Sequence, residues 1–260
     1  MIPEPAPSIG ASTEEKLAAL REYLRHLGSA LICYSGGIDS ALVLAVAHEQ
    51  LGERAIAITA VSASLPARER EEAARFAQQL GARHEFVESR EIERPGYVAN
   101  GPDRCFHCKS ELYEIADRQL AAYGVSHILN GTNRDDLGDH RPGLEAASRA
   151  GVKSPLAELG FDKRDVRATA QLLGLSNWQK PAAACLASRI PMAHRSPASA
   201  STRSVASSRI SRTSGSSRSV SAGTARLRAS SSAWRSSPAR LPPPFARRSS
   251  VPESVTAFNM

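Results

Sequence analysis

No stretch of this sequence approaches the roughly twenty consecutive apolar residues that a membrane-spanning helix needs. The longest apolar run near the start, Ala41-Leu-Val-Leu-Ala-Val-Ala47, falls far short. The first residues also lack the basic and apolar regions of a secretory leader, so a soluble, cytoplasmic protein is expected. Cysteine is scarce: Cys33, Cys105, Cys108 and Cys185 do not make the disulfide framework of a secreted chain. Free thiols with metal-binding or chemical roles are expected instead, and the sequon Asn130-Gly-Thr132 carries no weight in the cytoplasm. Two common phosphate signatures are missing as well, the Walker A sequence and GxGxxG. Their absence argues against kinase-like handling of a γ-phosphate and against dinucleotide binding. Acidic residues are nearly absent from one region only. Residues 192–260 hold 11 Arg, no Lys and the single acid Glu253, a net charge of +10, whereas residues 1–191 carry −3. The overall +7 therefore belongs to the tail, and a basic surface for nucleic acid is not a property of the rest.

What is present reads as an alternating α/β chain. Residues 1–11, with three prolines, form a loose arm. Ser12 and Glu15 make a capping-box pattern, and Leu17, Leu20, Leu24 and Leu27 recur at helical spacing up to Gly28. Ala30 to Tyr34 fits a buried parallel strand, followed by Ser35-Gly-Gly-Ile-Asp-Ser40 and a helix that ends near Gly52. A strand over 55–61, a helix over 67–80 and a strand over 84–87 continue the alternation. Cys105-Phe-His-Cys108 is expected in a loop, before a helix over 110–123 and a strand over 127–130. A polar, Gly-rich stretch, 131–143, then follows the C-terminal end of a strand, where open α/β sheets place ligands. Asp162 caps a last helix that Gly174 stops. Such alternation implies an α/β fold with a doubly wound parallel sheet, in one domain over 12–191. From Met192 apolar periodicity disappears: of 69 residues, 20 are Ser, a composition that buries too little surface to offset the entropy of ordering.

Chemistry is carried by a few clusters. In the loop Ser35, Gly36, Gly37, Ile38, Asp39, Ser40, the glycines let backbone approach a ligand, the helix start offers N–H groups and a positive dipole end, and the serines add hydroxyls. Anionic phosphate is the natural guest, although a tight turn with no ligand has the same local grammar. In the second cluster, Asp135, Asp136 and Asp139 could hold magnesium, while Gly131, Thr132 and Asn133 could meet a nucleotide. An ordinary Asp/Gly loop would look similar. Cys105 and Cys108 form a CxxC pair that is half of a zinc site, or with Cys185 three ligands of an iron-sulfur cluster. A structural role and a redox role are open as well, the structural one ahead of the metal or cluster and redox last. His107 is expected as a solvated loop residue and Cys33 as core packing. Cys185, flanked by alanine and leucine, reads on its own as a buried core residue.

The SGGIDS loop resembles that of the PP-loop (HUP-like) superfamily, whose members cleave ATP between the α and β phosphates. The ordered series SGGIDS, RCFHCKSELY, NGTNRDDLGDHRPG, KSPLAELGFDK and KPAAACLASRIP resembles the LarE-type ATP-dependent sacrificial sulfur transferases over nearly all of 17–191. That resemblance implies ATP and Mg2+, with Asp39 near the phosphates, and a pyridinium dicarboxylate mononucleotide as the carboxylate that is adenylated. It places Cys185 at the position that attacks the acyl adenylate and then loses its sulfur, leaving a thiocarboxylate and dehydroalanine. Ser188 and Arg189 complete the implied catalytic set with Cys185 and Asp39, and Arg189 with Lys180 could lower the thiol pKa or hold substrate phosphate. The product would feed the nickel-pincer cofactor of lactate racemase, so other assembly proteins of that cofactor are the implied partners, and the family is homo-oligomeric. Other PP-loop activities, an amidotransferase, an ammonia-dependent ligase or a tRNA thiolase, share the first motif. An RNA-binding role for the Arg-rich tail is disfavoured because the tail's aromatics are only Trp234 and two Phe.

The resembling family continues after Ser-Arg-Ile-Pro with Tyr-Gly-Thr-Pro-Val and a small α/β subdomain. Met192-Ala-His-Arg-Ser196 back-translates to ATG GCN CAY CGN TCN, and the same string begun one base earlier reads XAT GGC NCA YCG NTC, which permits that continuation. Residues 192–260 are therefore expected to be an out-of-frame replacement of the subdomain, which puts the oligomer and the activity of this chain in doubt.

Overall fold

The computed structural model describes residues 11–138 and 142–181. Ser12 opens helix α1 (Thr13–Leu27), its hydroxyl accepting from the Glu15 N–H while the Glu15 carboxylate accepts from the Ser12 N–H, the reciprocal arrangement of a capping box. One face of α1 buries Leu17, Leu20 and Leu24. Strand β1 (Ala30–Cys33) is buried at every residue, as befits a strand covered on both faces. Helix α2 (Ile38–Leu51) is apolar nearly all round, from Ala41 to Ala47, and buried there, so it lies inside the molecule rather than on it. Strand β2 (Ala55–Val61), helix α3 (Ala67–Leu80) and strand β3 (Arg83–Glu88) follow as the sequence pattern predicts.

Two short helical stretches, a 3-10 turn at Glu91–Glu93 and α4 (Pro95–Ala99), lead into the long helix α5 (Arg104–Tyr123). Here the structure departs from expectation: α5 starts six residues before Ser110, and Cys105-Phe-His-Cys108 lies in its first turns rather than in a loop. Strand β4 (Ile128–Leu129) is shorter than predicted, and it is followed by a 3-10 turn at Arg134–Gly138 and helix α6 (Pro142–Arg149). The expectation of one irregular polar stretch over 131–143 missed both. Helices α7 (Pro155–Glu158) and α8 (Lys163–Leu172) complete the described elements, and Asp162 caps α8 through the N–H groups of Arg164 and Asp165.

All four strands are parallel in the order β3-β2-β1-β4, with Ala30 opposite Ala55 and Leu31 opposite both Ile56 and Ile128. Lys153 extends the sheet beyond β4, its N–H donating to the Ile128 carbonyl at 2.9 Å and its carbonyl accepting from Asn130 at 3.1 Å. One face of the sheet carries α1, α2, α3 and α8, whose core includes Leu20, Leu24, Leu42, Phe76, Phe161 and Val166. The other carries α5 and α6, which meet Leu31, Ile56 and Ile58 through Tyr113, Ala116 and Ala146. The sheet is thus doubly wound. Its direction reverses between β1, from which the chain winds outward to β2 and β3, and β4 on the other side, and open sheets bind ligands at the C-terminal end of such a switch point. Among the described residues no helix is long and apolar enough to cross a membrane. The arm ahead of Ala11 and the tail 192–260 lie outside the described residues, as does the domain boundary expected at 191.

Candidate active site

The loop leaving β1 turns at Gly36, whose φ of +77° lies in the left-handed region, and a Cβ there would sit 3.4 Å from that of Ala73. Glycine is therefore needed for the turn, while a Cβ would only come into van der Waals contact with α3. Within the loop the Ser35 N–H donates to Ser40 Oγ at 3.2 Å, the two hydroxyls are 3.1 Å apart, and Ser40 Oγ donates to the Gly37 carbonyl at 3.2 Å. No side chain caps α2 at Gly37, so the first N–H groups of a 14-residue helix stay available to an anion.

The second loop, after β4, packs directly on this helix start. A Cβ on Gly131 would lie 2.5 Å from the Ser40 nitrogen and 2.7 Å from its Cα, a separation no side chain tolerates. Asn130 shapes the loop by accepting from the Thr132 N–H at 3.0 Å and the Ser154 hydroxyl at 2.9 Å. Asn133, buried, accepts from the N–H groups of Asp135 at 3.0 Å and Asp136 at 3.3 Å and donates from Nδ2 to Asp39 Oδ1 at 3.1 Å. Lys163, the first residue of α8, reaches the same carboxylate, at 2.7 Å to Oδ1 and 2.5 Å to Oδ2. Asp39 therefore ties the phosphate-type loop to both β4 and α8. Asp135 accepts from the Lys163 N–H at 2.9 Å, whereas Asp136 lines a cavity beside Asp39. Among the described residues no three His, Cys, Asp or Glu side chains gather as a metal site.

Two cavities meet at Cys33, Ser35 and Lys109. The larger, about 540 Å³, lies between the loops after β1 and β4, lined by Asp39, Ser40, Gly131, Thr132 and Asp136. The smaller, about 250 Å³, runs along the ends of β1, β2 and β3 under apolar Ile58, Ala60, Leu65 and Leu112.

The chain is similar to several known proteins. The asparagine synthase family model matches residues 17–97. An uncharacterized protein of Synechocystis sp. is 49% identical over 178 residues, 68% of this chain and 66% of its own. Pyridinium-3,5-bisthiocarboxylic acid mononucleotide synthase of Lactiplantibacillus plantarum is 37% identical over 182 residues, 70% of this chain and 66% of that protein. The chain belongs to the PP-loop family, on its LarE-type branch. It spans about two thirds of the length of the curated relatives it matches. The structure of an NMN synthetase from Francisella tularensis superposes with a TM-score of 0.53 over 67% of this chain and 76% of that one, at 17% identity, a likeness of fold.

In this LarE-type chain the remaining groups fall into place around the two cavities. Among the described residues Lys109 forms no ion pair or hydrogen bond through its ammonium, and α6 presses on its stem: a Cβ on Gly143 would be 3.2 Å from Lys109 Cγ. Burial works against its charge, but the ionisable Tyr113, Cys108, Cys33 and Cys105 around it more than offset this, so the ammonium pKa lies above its ordinary value. Cys33 does pack in the core, as predicted, and also forms the floor of both cavities; burial pushes its thiol up to about 12. Cys105 is exposed and borders the larger cavity, and Cys108 borders the smaller. His107 is not the solvated loop residue expected of it: its ring packs on Gly96 and lies 3.0 Å from Asp103 Oδ2. Lys180 is not free to act on a thiol or a substrate phosphate, because Glu69 at 2.6 Å and Glu72 at 3.0 Å hold it on α3. The predicted Asp139, Cys185, Ser188 and Arg189 lie outside the described residues.

Sequence reasoning missed Lys109 and Lys163. For Lys163 a signal existed, since a cation in the first turn of a helix opposes the helix dipole and so has a partner elsewhere. For Lys109 only the fold could show that α5 carries it to the junction of the cavities.

Proposed function

We propose that this chain is an ATP-dependent sulfur transferase that adenylates a pyridinium carboxylate mononucleotide and donates sulfur from Cys185 to give a thiocarboxylate for nickel-pincer cofactor assembly, the cofactor of lactate racemase. The observation that carries the reading is the packing of Gly131 on Ser40, which sets a phosphate-binding loop beside a second cavity large enough for an acceptor. The identity to the Lactiplantibacillus synthase supports the choice of acceptor.

In this reading the pyrophosphate end of ATP rests on the N–H groups at the start of α2 and the hydroxyls of Ser35 and Ser40. Lys163 and Lys109 supply positive charge on either side of it. The nucleoside occupies the smaller cavity and the acceptor the larger one. A carboxylate oxygen of the acceptor bonds to the α-phosphorus, the bond from that phosphorus to the bridging oxygen breaks, and pyrophosphate leaves with the electron pair. The Cys185 thiolate then adds to the acyl carbon and expels AMP, leaving a thioester. Removal of the Cys185 Cα proton with cleavage of its Cβ–S bond releases the thiocarboxylate and leaves dehydroalanine. Arg189 lowers the pKa of the Cys185 thiol or holds the substrate phosphate, and Ser188 belongs to the same catalytic set.

Oxygen donors suit a hard cation, and Asp39 and Asp136 both border the larger cavity, so these two carboxylates would hold Mg2+, which would supply charge neutralisation for the pyrophosphate. Cys105 and Cys108 are one turn apart on α5 and could supply two sulfurs to zinc or an iron-sulfur cluster, with Cys185 as a third. Residues 192–260 are read as an out-of-frame replacement of a C-terminal subdomain.

Incubation of the purified chain with ATP and a pyridinium carboxylate mononucleotide tests the function by intact mass. Turnover should lower the protein mass by about 34 Da at Cys185, the loss expected of dehydroalanine, and Cys185→Ser should abolish it. Formation of AMP with no mass change would assign the chain to a different PP-loop reaction.

A further inference from the structure

Ser62, Ser64, Ser89 and Glu91 cluster at the end of the smaller cavity farthest from the phosphate loop, and the chemistry above does not use them. Glu91 is 2% exposed, yet its carboxylate is satisfied by hydroxyls rather than by a cation. Ser62 Oγ and, at 3.0 Å, Ser64 Oγ donate to Oε1, and Ser89 Oγ donates to Oε2 at 2.6 Å. A buried carboxylate is normally neutralised by an opposite charge, so this arrangement is unusual for a purely structural group.

The supply of protons limits what the cluster can offer. Each hydroxyl carries one, and all three are spent on Glu91 or between Ser62 and Ser64, whose oxygens are 2.8 Å apart. The Ser64 N–H ends on Ser62 Oγ at 3.2 Å and the Ser89 N–H on the Val61 carbonyl at 3.0 Å. Lone pairs remain and none of these donors does, so the side chains of the cluster present acceptors.

Its position selects the ligand atom. Ser35 and Gly37 follow β1, Ser62 follows β2 and Ser89 follows β3, in adjacent strands. Neighbouring strands are about 4.8 Å apart, so the cluster lies about 10 Å across the sheet from the phosphate loop. A nucleotide with its phosphates at β1 places its ribose near β2 and its base near β3. We propose that Glu91, with the serines it orients, reads the base by accepting from an exocyclic amine, and rejects a base that carries a carbonyl there. The proposal rests on the nucleotide reading of the site and deepens it: Glu91 becomes the determinant of adenine over 6-oxopurines.

The test is a binding titration of the full chain with ATP, inosine triphosphate and inorganic pyrophosphate, the two triphosphates differing at the 6-position of the base. ATP should bind at least tenfold more tightly than inosine triphosphate. In Glu91→Gln, whose amide lets the hydroxyls turn protons outward, the ratio should fall towards one while pyrophosphate affinity stays unchanged. Should a thermal melt show that this variant does not fold, Ser89→Ala is read in its place, with the ratio falling at least threefold. Equal affinity of the native chain for both triphosphates, or a variant that loses both in proportion, would overturn the role of Glu91 and leave the nucleotide reading standing. A native chain that binds neither triphosphate nor pyrophosphate removes both.

Discussion

Lys109 and Cys33 stand side by side at the junction of the two cavities and have opposite prospects. An ammonium with no carboxylate partner among the described residues is a stored interaction for an anion, and a hydrogen bond to a charged group contributes about 1.5–3 kcal/mol. Lys109→Met should therefore weaken AMP binding by about tenfold or more and leave adenosine binding unchanged, which a pair of calorimetric titrations would show. An equal loss for both ligands would mean that the residue only props the cavity. Cys33 instead is held as a thiol. Because its pKa is pushed up to about 12, the thiolate fraction is negligible at pH 8, while Cys105 is exposed. Alkylation with iodoacetamide followed by peptide mass analysis should modify Cys105 and spare Cys33 in the folded chain; early labelling of Cys33 would contradict its burial. Gly131 has no tolerance at all. Gly131→Ala drives a methyl into backbone rather than into a flexible side chain, so the two loops must part. We expect a loss of about 1–3 kcal/mol in urea unfolding together with loss of nucleotide binding.

At the scale of elements, local grammar made most of the fold legible and tertiary placement made the rest. The capping boxes at Ser12 and Asp162, the apolar runs of β1 and β2 and the limits of α3 are encoded within a few residues of where they act. The start of α5 was not, because Gly101-Pro102-Asp103 punctuates like a loop and no side chain of Asp103 caps the helix. Pro142 at the first position of α6 was a helix-start signal that the surrounding Gly and Asp residues obscured. The same division holds in the site. SGGIDS announces its loop, whereas the pairing of Lys163 with Asp39 and the hydroxyl shell of Glu91 join residues far apart in sequence. The cap of α8 matters beyond its own helix, since it aims Lys163. Burial opposes ionisation of Asp162, but the N–H groups of Asp165 and Arg164 and the Arg164 guanidinium outweigh it and hold the carboxyl below its ordinary range. A folded pKa below the unfolded one adds stability that is complete above the ordinary carboxylate pKa of about 3.9 and is lost as pH falls through the lower, folded value. Asp162→Asn should keep the cap to within about 1 kcal/mol and make the unfolding free energy less steeply dependent on pH in the acid range, which urea melts at several pH values would measure.

At the scale of the molecule, the winding of the sheet explains why the nucleotide elements can all precede Pro181. The phosphate loop, the loop after β4 and α8 converge at one switch point, so in the proposed reading the groups that meet the triphosphate all come before Pro181. The proposed sulfur transfer draws on later residues, Cys185, Ser188 and Arg189. Lys180 is where the two halves join. Its clamp to Glu69 and Glu72 anchors the chain on α3, five residues before the sulfur, and an extended chain covers at most about 3.6 Å per residue. Five residues of chain reach at most about 18 Å from the Lys180 Cα. In the proposed reading, the meeting of the Cys185 sulfur with an activated acceptor then depends on the chain beyond residue 191. On the frameshift reading, insertion of one base ahead of the Met192 codon restores Tyr-Gly-Thr-Pro-Val and a patterned α/β continuation. The repaired chain should match the ATP affinity of the present one, since its nucleotide elements are the same. Its release of AMP in the presence of the pyridinium acceptor should rise at least tenfold. A continuation without α/β patterning, or a repaired chain with no gain in AMP release, would show instead that residues 192–260 are the natural partner of the fold.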